Sequence, residues 1–202
     1  DNGKGISVTS FKLISDEIKS LLKYNIEISM VIGAGNIFRG DITRQKDRFG
    51  NPVFTRNNAD KAGMLGTVLN GILLSDFMNQ NRIKTKVLST IFIDCVEFFE
   101  SEKAKTYLKE GYTLIFTGGT SNPYVSTDTA AVIKALEMES DVLLKATKVD
   151  GVFDKDPQKF KDAKKFDRLT FTEAIEKRLK IMDITAFSLA MENNLPIVVF
   201  NF

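Results

Sequence analysis

The chain has 202 residues, 43% hydrophobic and 27% charged, a composition that excludes a disordered or fibrous protein and allows a sizeable core without disulfides or metals. Its 28 basic and 26 acidic residues leave a net charge of +2, so no basic surplus calls for nucleic acid. The single cysteine, Cys95, cannot close an internal disulfide, and no apolar run is long enough for a bilayer span or a signal peptide; the expected setting is the cytoplasm.

Apolar residues at Phe11, Ile14, Ile18, Leu21 and Leu22 recur at helical spacing and predict a helix over Ser10–Tyr24, feeding a strand over Ile26–Ile32. The strand stops at Gly33-Ala34-Gly35-Asn36, and after a polar loop through Phe54 a second helix is expected over Asn58–Asn79. Further strands are expected at Lys86–Ser89, Thr113–Phe116, Val142–Ala146 and Ile197–Phe200, and helices at Ser101–Lys109, Asp128–Met138, Thr172–Lys180 and Thr185–Asn193. The charged stretch Asp41–Asn58 is either a mobile flap or an ordered interface element, and Lys159–Lys165 reads as a solvated loop. This alternation predicts a single α/β domain over 1–202, a three-layer αβα sandwich around a mostly parallel sheet. Ligands of such sheets bind beyond the carboxyl ends of the strands, where the polar motifs fall.

The chain contains no histidine, which excludes imidazole acid–base catalysis, Ser-His-Asp triads and imidazole metal ligands. Chemistry must run on Lys, Arg, Asp, Thr and backbone groups. Phosphoryl transfer to a phosphate acceptor suits that inventory, because the second pKa of a phosphate monoester is about 6 and the nucleophile is ionised without a base.

Three loops carry candidate chemistry. Gly33-Ala34-Gly35-Asn36, with Arg39 beyond it, would let backbone N–H groups approach a phosphate, or is a plain strand-to-loop turn. Thr117 to Asp128 packs hydroxyls, an amide and glycines ahead of an Ala-rich helix; Ser126, Thr127 or Asp128 can cap that helix, and the whole run reads as a ligand loop. Ala146 to Pro157 holds turn signals at Asp150-Gly151 and Asp156-Pro157 and by itself reads as a hairpin. Asp183 is either a helix cap or an acid that orients a lysine.

Taken together, Val31 to Gly40, Gly63 to Gly71, Asn122 to Asp128, Leu144 to Phe153 and Ile181-Met182-Asp183 resemble the bacterial UMP kinases of the amino-acid-kinase family, almost end to end. The run Leu144-Lys145-Ala146-Thr147-Lys148-Val149-Asp150-Gly151-Val152-Phe153 separates that group from the glutamate, aspartate and carbamate kinases. The resemblance implies the carbamate-kinase-like fold and Mg-ATP-dependent phosphorylation of UMP. It assigns Ala34, Asp60 and Thr120, Ser121, Asn122, Pro123, Tyr124, Val125, Ser126 and Thr127 to UMP, with Asp60 on the ribose hydroxyls. It assigns Gly35, Arg39, Thr147, Phe153 and Asp156 to ATP. Asp128 and Asp183 would organise Mg-ATP and the catalytic lysine, with Lys145 near the phosphates and Arg39 adding charge. It also implies a homohexamer built from dimers, activated by GTP and inhibited by UTP.

The sequence departs from the family in three places. The opening strand with its Lys-Leu-Ser-Gly-Glu loop and main catalytic lysine has no counterpart before Asp1, the final strands have none after Phe202, and the Arg39–Asp60 interval is longer. The expectation is a trimmed chain. Two rivals compete with this reading: another small-molecule kinase of the family, disfavoured by Asn122–Asp128 and Lys145–Phe153, and a catalytically silent nucleotide-binding subunit, favoured only by the missing lysine loop.

Overall fold

The computed structural model describes residues 5–38, 45–179 and 181–202. Arg39, the first residues of the long charged loop (41–44) and Lys180 lie outside the described residues. The chain divides into two compact units, Asp1–Thr127 and Asp128–Phe202.

In the first unit, Ser7 caps α1 (Val8–Leu21), its Oγ accepting the Ser10 N–H at 3.2 Å. A 3₁₀ turn, Leu22–Tyr24, ends at Asn25 in the left-handed region, and the chain enters β1 (Ser29–Val31). The 25-residue α2 (Arg56–Gln80) follows, then β2 (Thr85–Ser89), β3 (Glu97–Phe98), α3 (Ser101–Lys109) and β4 (Thr113–Thr117). The four strands form one parallel sheet in the order β1-β4-β2-β3, with Ile115 opposite both Met30 and Val87. Flanked by strands on both sides, β4 is buried along its whole length, which is why it reads as an unbroken run and not an alternating one.

The core of this unit joins Ile18 of α1, Leu74 and Met78 of α2, Ile83 and Ile115, with Phe11, Ile14 and Met30 packed against them. Burying these side chains contributes roughly 1.5–3 kcal/mol each. Helix α2 can approach the sheet this closely because two positions lack a side chain. A Cβ on Gly71 would lie 2.5 Å from Thr117 Cγ2, and one on Gly66 would lie 2.8 Å from Ala34 Cβ.

The second unit continues α4 (Thr127–Glu137), whose first residue closes the first unit, and adds β5 (Leu143–Thr147), β6 (Val152–Phe153), β7 (Lys165–Phe166), α5 (Phe171–Glu176), α6 (Ile184–Glu192) and β8 (Ile197–Asn201). Strands β5 and β8 pair in parallel and β6 and β7 antiparallel. Small side chains at Ala135, Ala186 and Ala190 let α4 and α6 meet around Val132 and Leu195.

The α/β class and the mostly parallel pairing agree with expectation, and α3 has the expected bounds. Three differences have local causes. The first strand is Ser29–Val31, shorter than Ile26–Ile32, because the left-handed Asn25 delays its start and β4 is its partner among the described strands. Helix α5 stops at Glu176, short of Lys180, where Arg178 takes a positive φ of 52° and the Leu179 N–H turns back to the Ala174 carbonyl. The hairpin after Ala146 forms, but its second strand is Lys165–Phe166, beyond the Asp156-Pro157 turn. Lys165 therefore belongs to a strand and not to a loop. In the long charged stretch, Lys46 bridges Pro52 around a turn ordered by the Asp47 carboxylate, which accepts the N–H groups of Phe49 and Asn51 at 2.8 and 2.9 Å. No helix among the described residues is long and apolar enough to cross a membrane.

Candidate active site

Parallel pairing of β1 with β4 puts their carboxyl ends at one edge, so the loops at Gly33–Asn36 and Gly118–Thr127 are neighbours. A Cβ on Gly33 would lie 3.7 Å from Thr127 Oγ1. Both loops are fastened to α2. Asn36 and Asn70 exchange amide hydrogen bonds, Asn36 Nδ2 donating to Asn70 Oδ1 at 3.0 Å and Asn70 Nδ2 to Asn36 Oδ1 at 2.7 Å. Asn70 Nδ2 also donates to the Gly33 carbonyl at 2.9 Å, which fixes the turn. Ala34 is buried against α2 and its carbonyl accepts the N–H groups of Ile37 and Phe38, whereas Gly33 and Gly35 face solvent.

The second loop is pinned at its root and exposed along its length. The Gly118 N–H donates to Thr67 Oγ1 at 2.7 Å, and Thr90 Oγ1 donates to the Thr117 and Gly119 carbonyls at 3.2 and 3.1 Å. Beyond this anchor Thr120 is half-buried, its Oγ1 accepting the Asn122 N–H at 3.4 Å. Ser121 and Tyr124 adopt positive φ of 64° and 69°, conformations that cost about 1 kcal/mol or more and recur where a loop is shaped for a ligand. Pro123 is half-buried, and Ser121, Asn122 and Tyr124 to Thr127 are exposed. Asp60 on α2 holds the far side: its Oδ2 accepts the Tyr124 N–H at 2.7 Å and faces Arg56 Nε at 3.5 Å, while the Arg56 guanidinium lies 5.0 Å from the centre of the Tyr124 ring. Helix α4 starts at Thr127, which places Ser126 at the cap position and Asp128 in the first turn, where the helix dipole favours a carboxylate.

Within the second unit, Lys145 of β5 forms an ion pair with Asp128 of α4, the lysine side chain 19% and the aspartate side chain 34% exposed. Asp183 caps α6, its Oδ1 accepting the Ala186 N–H at 3.1 Å and the Thr129 hydroxyl at 3.1 Å. Of the two readings of Asp183, these bonds bear out the helix cap. Thr147 Oγ1 donates to the Val149 carbonyl at 2.6 Å, and Asp156 Oδ1 accepts the Gln158 N–H at 2.9 Å, so both side chains shape turns. Phe153 is half-buried in β6 opposite Lys165. Ala34, Gly35, Asp60 and Thr120–Thr127 thus fall in the first unit and Asp128, Lys145, Thr147, Phe153, Asp156 and Asp183 in the second; direct bonds join Asp60 to Tyr124 and Asp128 to Lys145, whereas Thr147, Phe153 and Asp156 have the local partners just given, and Arg39 lies outside the described residues.

The profile of the amino acid kinase family matches residues 1–201. The chain belongs to the amino acid kinase family. Among curated relatives of this family member, the uridylate kinase of Thermosipho melanesiensis is 44% identical over 98% of this chain and 82% of the relative. That of Campylobacter concisus is 43% identical over 100% and 83%. Two solved structures are similar throughout: UMP kinase from Ureaplasma parvum (35% identity, 98% of this chain, 82% of that one, TM-score 0.89) and from Bacillus anthracis (36%, 98%, 80%, 0.91). An aspartate kinase from Synechocystis, 17% identical with TM-score 0.73 over 96% of this chain and 35% of that one, shares the fold alone.

Four side chains of this amino acid kinase were not singled out from the sequence: Thr67, Asn70, Arg56 and Thr129. A signal existed for two of them. Thr67 and Asn70 stand on the face of α2 that also carries Met64, Gly71 and Leu74, and a polar side chain on a buried helix face needs a partner. Arg56 stands one helical turn before Asp60, but the helix expected from Asn58 left it outside, and its second neighbour, Tyr124, is remote; Thr129 carried no signal, since Asp183 lies far along the chain.

Proposed function

We propose that this chain is a UMP kinase that transfers the γ-phosphoryl group of ATP to UMP, giving ADP and UDP. The observation that carries the reading is the match, over nearly the whole of this chain, with proteins named uridylate kinase and UMP kinase, at 42–44% and 35–36% identity. Local geometry supports it: an exposed loop rich in hydroxyls and amides at the carboxyl end of β4 runs directly into the helix bearing Asp128, which is paired with a lysine. The match over residues 1–201 supports one amino-acid-kinase domain spanning both units.

On this reading the acceptor nucleotide lies along Thr120–Thr127 and the Ala34 backbone, with Asp60 on the ribose hydroxyls. ATP is held by Gly35, Arg39, Thr147, Phe153 and Asp156. An oxygen of the UMP phosphate attacks the γ-phosphorus while the bond to the bridging oxygen breaks, and ADP departs with the electron pair. Because the attacking oxygen is already ionised above about pH 6, no side chain need remove a proton. Lys145 and Arg39 neutralise charge on the transferred group, and Asp128 and Asp183 keep the cationic groups in place.

Among the described residues no group of three or more Asp, Glu, His or Cys side chains is arranged to hold a metal. Magnesium would arrive with the nucleotide, held chiefly by phosphates and water, and Asp128 in the first turn of α4 is a candidate carboxylate for it. When bound, magnesium supplies neutralisation of the phosphate oxygens. The same reading carries a cytoplasmic homohexamer, activated by GTP and inhibited by UTP, on the strength of the resemblance alone.

The test is a coupled assay on full-length protein with Mg-ATP and a panel of acceptors. UMP should be turned over and AMP and GMP should be poor acceptors. Equal turnover of AMP, or phosphorylation of aspartate or glutamate in place of UMP, overturns the proposal.

A further inference from the structure

Asp128 and Thr129 are consecutive in the first turn of α4, so their side chains diverge by about 100° around the helix axis. Asp128 meets Lys145 of β5, and Thr129 Oγ1 donates to Asp183 Oδ1 at 3.1 Å at the start of α6. One helical turn thus reaches both acids of the proposed phosphoryl-transfer site. Thr129 is 3% exposed, and a hydroxyl at that depth needs a partner, since leaving it unsatisfied costs about 1–3 kcal/mol.

The bond does more than satisfy a buried hydroxyl. Capping α6 requires one acceptor for the Ala186 N–H, and Asp183 Oδ1 provides it at 3.1 Å. Thr129 adds a second donor to the same oxygen from a different helix. A carboxylate gripped through one oxygen by two donors on separate elements cannot turn about its side-chain torsions without breaking one of them. The surroundings give α4 and α6 little room to shift, because Ala130, Val132, Ala186 and Ala190 are at most 1% exposed.

We propose that Thr129 is a positioning residue for phosphoryl transfer, its hydroxyl setting the Asp183 carboxylate in register with the Asp128–Lys145 pair. The inference rests on the UMP kinase reading and extends it to a residue that touches neither nucleotide.

The experiment is steady-state kinetics on the full-length enzyme with UMP and Mg-ATP, for Thr129→Val, Thr129→Ala and Thr129→Ser, each also made in an Asp183→Asn background. Thr129→Val, which keeps the shape and removes the donor, should lower kcat roughly 10- to 100-fold while both KM values stay within about threefold, as expected when a catalytic group is displaced and binding is intact. Thr129→Ala should behave alike, and Thr129→Ser should recover most of the rate. In the Asp183→Asn background, Thr129→Val should cost less than about threefold more, because the two residues act through one bond. Unchanged kcat in Val and Ala, a Ser variant no better than Val, or fully multiplicative losses overturns the inference. So does failure of both Val and Ala to fold, which would make the hydroxyl a structural requirement. A wild-type enzyme that does not phosphorylate UMP overturns the functional reading instead, and the two failures are distinct.

Discussion

The Asp60 carboxylate accepts the backbone N–H of Tyr124 at 2.7 Å across 64 residues of sequence, tying the middle of the proposed UMP loop to the first turns of α2. Because Tyr124 has a left-handed backbone, its N–H faces α2, and the carboxylate arrests the loop in that shape. Asp60→Ala should remove both this anchor and the proposed ribose contact. A hydrogen bond to a charged group contributes about 1.5–3 kcal/mol, so UMP affinity should fall roughly 10- to 100-fold with ATP affinity nearly unchanged. Asp60→Asn, whose amide oxygen can still accept the Tyr124 N–H, should lose less. Separate titrations with each nucleotide check this, and an effect of Asp60→Ala confined to ATP would contradict the assignment.

Two glycines of α2 should respond oppositely to alanine. At Gly71 the new methyl would sit 2.5 Å from Thr117 Cγ2 and 3.2 Å from Val87 Cγ1, so Gly71→Ala forces the helix away from β4 and should destabilise by about 1–3 kcal/mol. At Gly63 nothing lies within 4 Å, and Gly63→Ala should stabilise by up to about 1 kcal/mol through helix propensity. Urea midpoints at constant slope give the comparison.

Glu97 should leave a signature in acid. Partial burial opposes its ionisation, but the hydrogen bonds from Lys103 at 2.6 Å and the Tyr107 hydroxyl at 2.9 Å, with the charges of Lys103 and Lys86, outweigh burial and hold the carboxyl below its ordinary value. A lowered folded pKa means stability that is fully present above the unfolded value of about 4.3 and is lost as pH falls through the folded one. The stability difference between wild type and Glu97→Gln should therefore be constant from pH 7 to about 5 and shrink below about 4. Urea unfolding at stepped pH measures it, and a difference that grows in acid would reverse the sign argued here.

Catalysis without a base predicts a single acidic limb in kcat/KM, near the UMP phosphate pKa of about 6. Asp128→Asn keeps the side-chain shape beside Lys145 and removes the charge, so the rate should drop while the limb stays in place. Turnover against pH with both substrates sub-saturating tests this. Disappearance of the limb in Asp128→Asn would make Asp128 a titrating base.

What the sequence determined by itself is what repeats locally. Helical spacing at Phe11, Ile14 and Ile18, the unbroken apolar run of β4 and the span Ser101–Lys109 were legible because a few consecutive residues settle a helix or a buried strand. The ordered motifs from Val31 to Asp183 likewise identified the family and named the loops. Strands β3, β6 and β7 were not legible as such, since two residues cannot display a period of two. Only the tertiary structure decided the order β1-β4-β2-β3, which seats Gly33–Asn36 beside Gly118–Thr127 although more than eighty residues separate them. It alone paired Asn36 with Asn70, Asp60 with Tyr124 and Thr129 with Asp183. Each of these bonds depends on where a distant segment of backbone comes to rest, and that is settled by the packing of helices on sheets, which no local pattern of residues encodes.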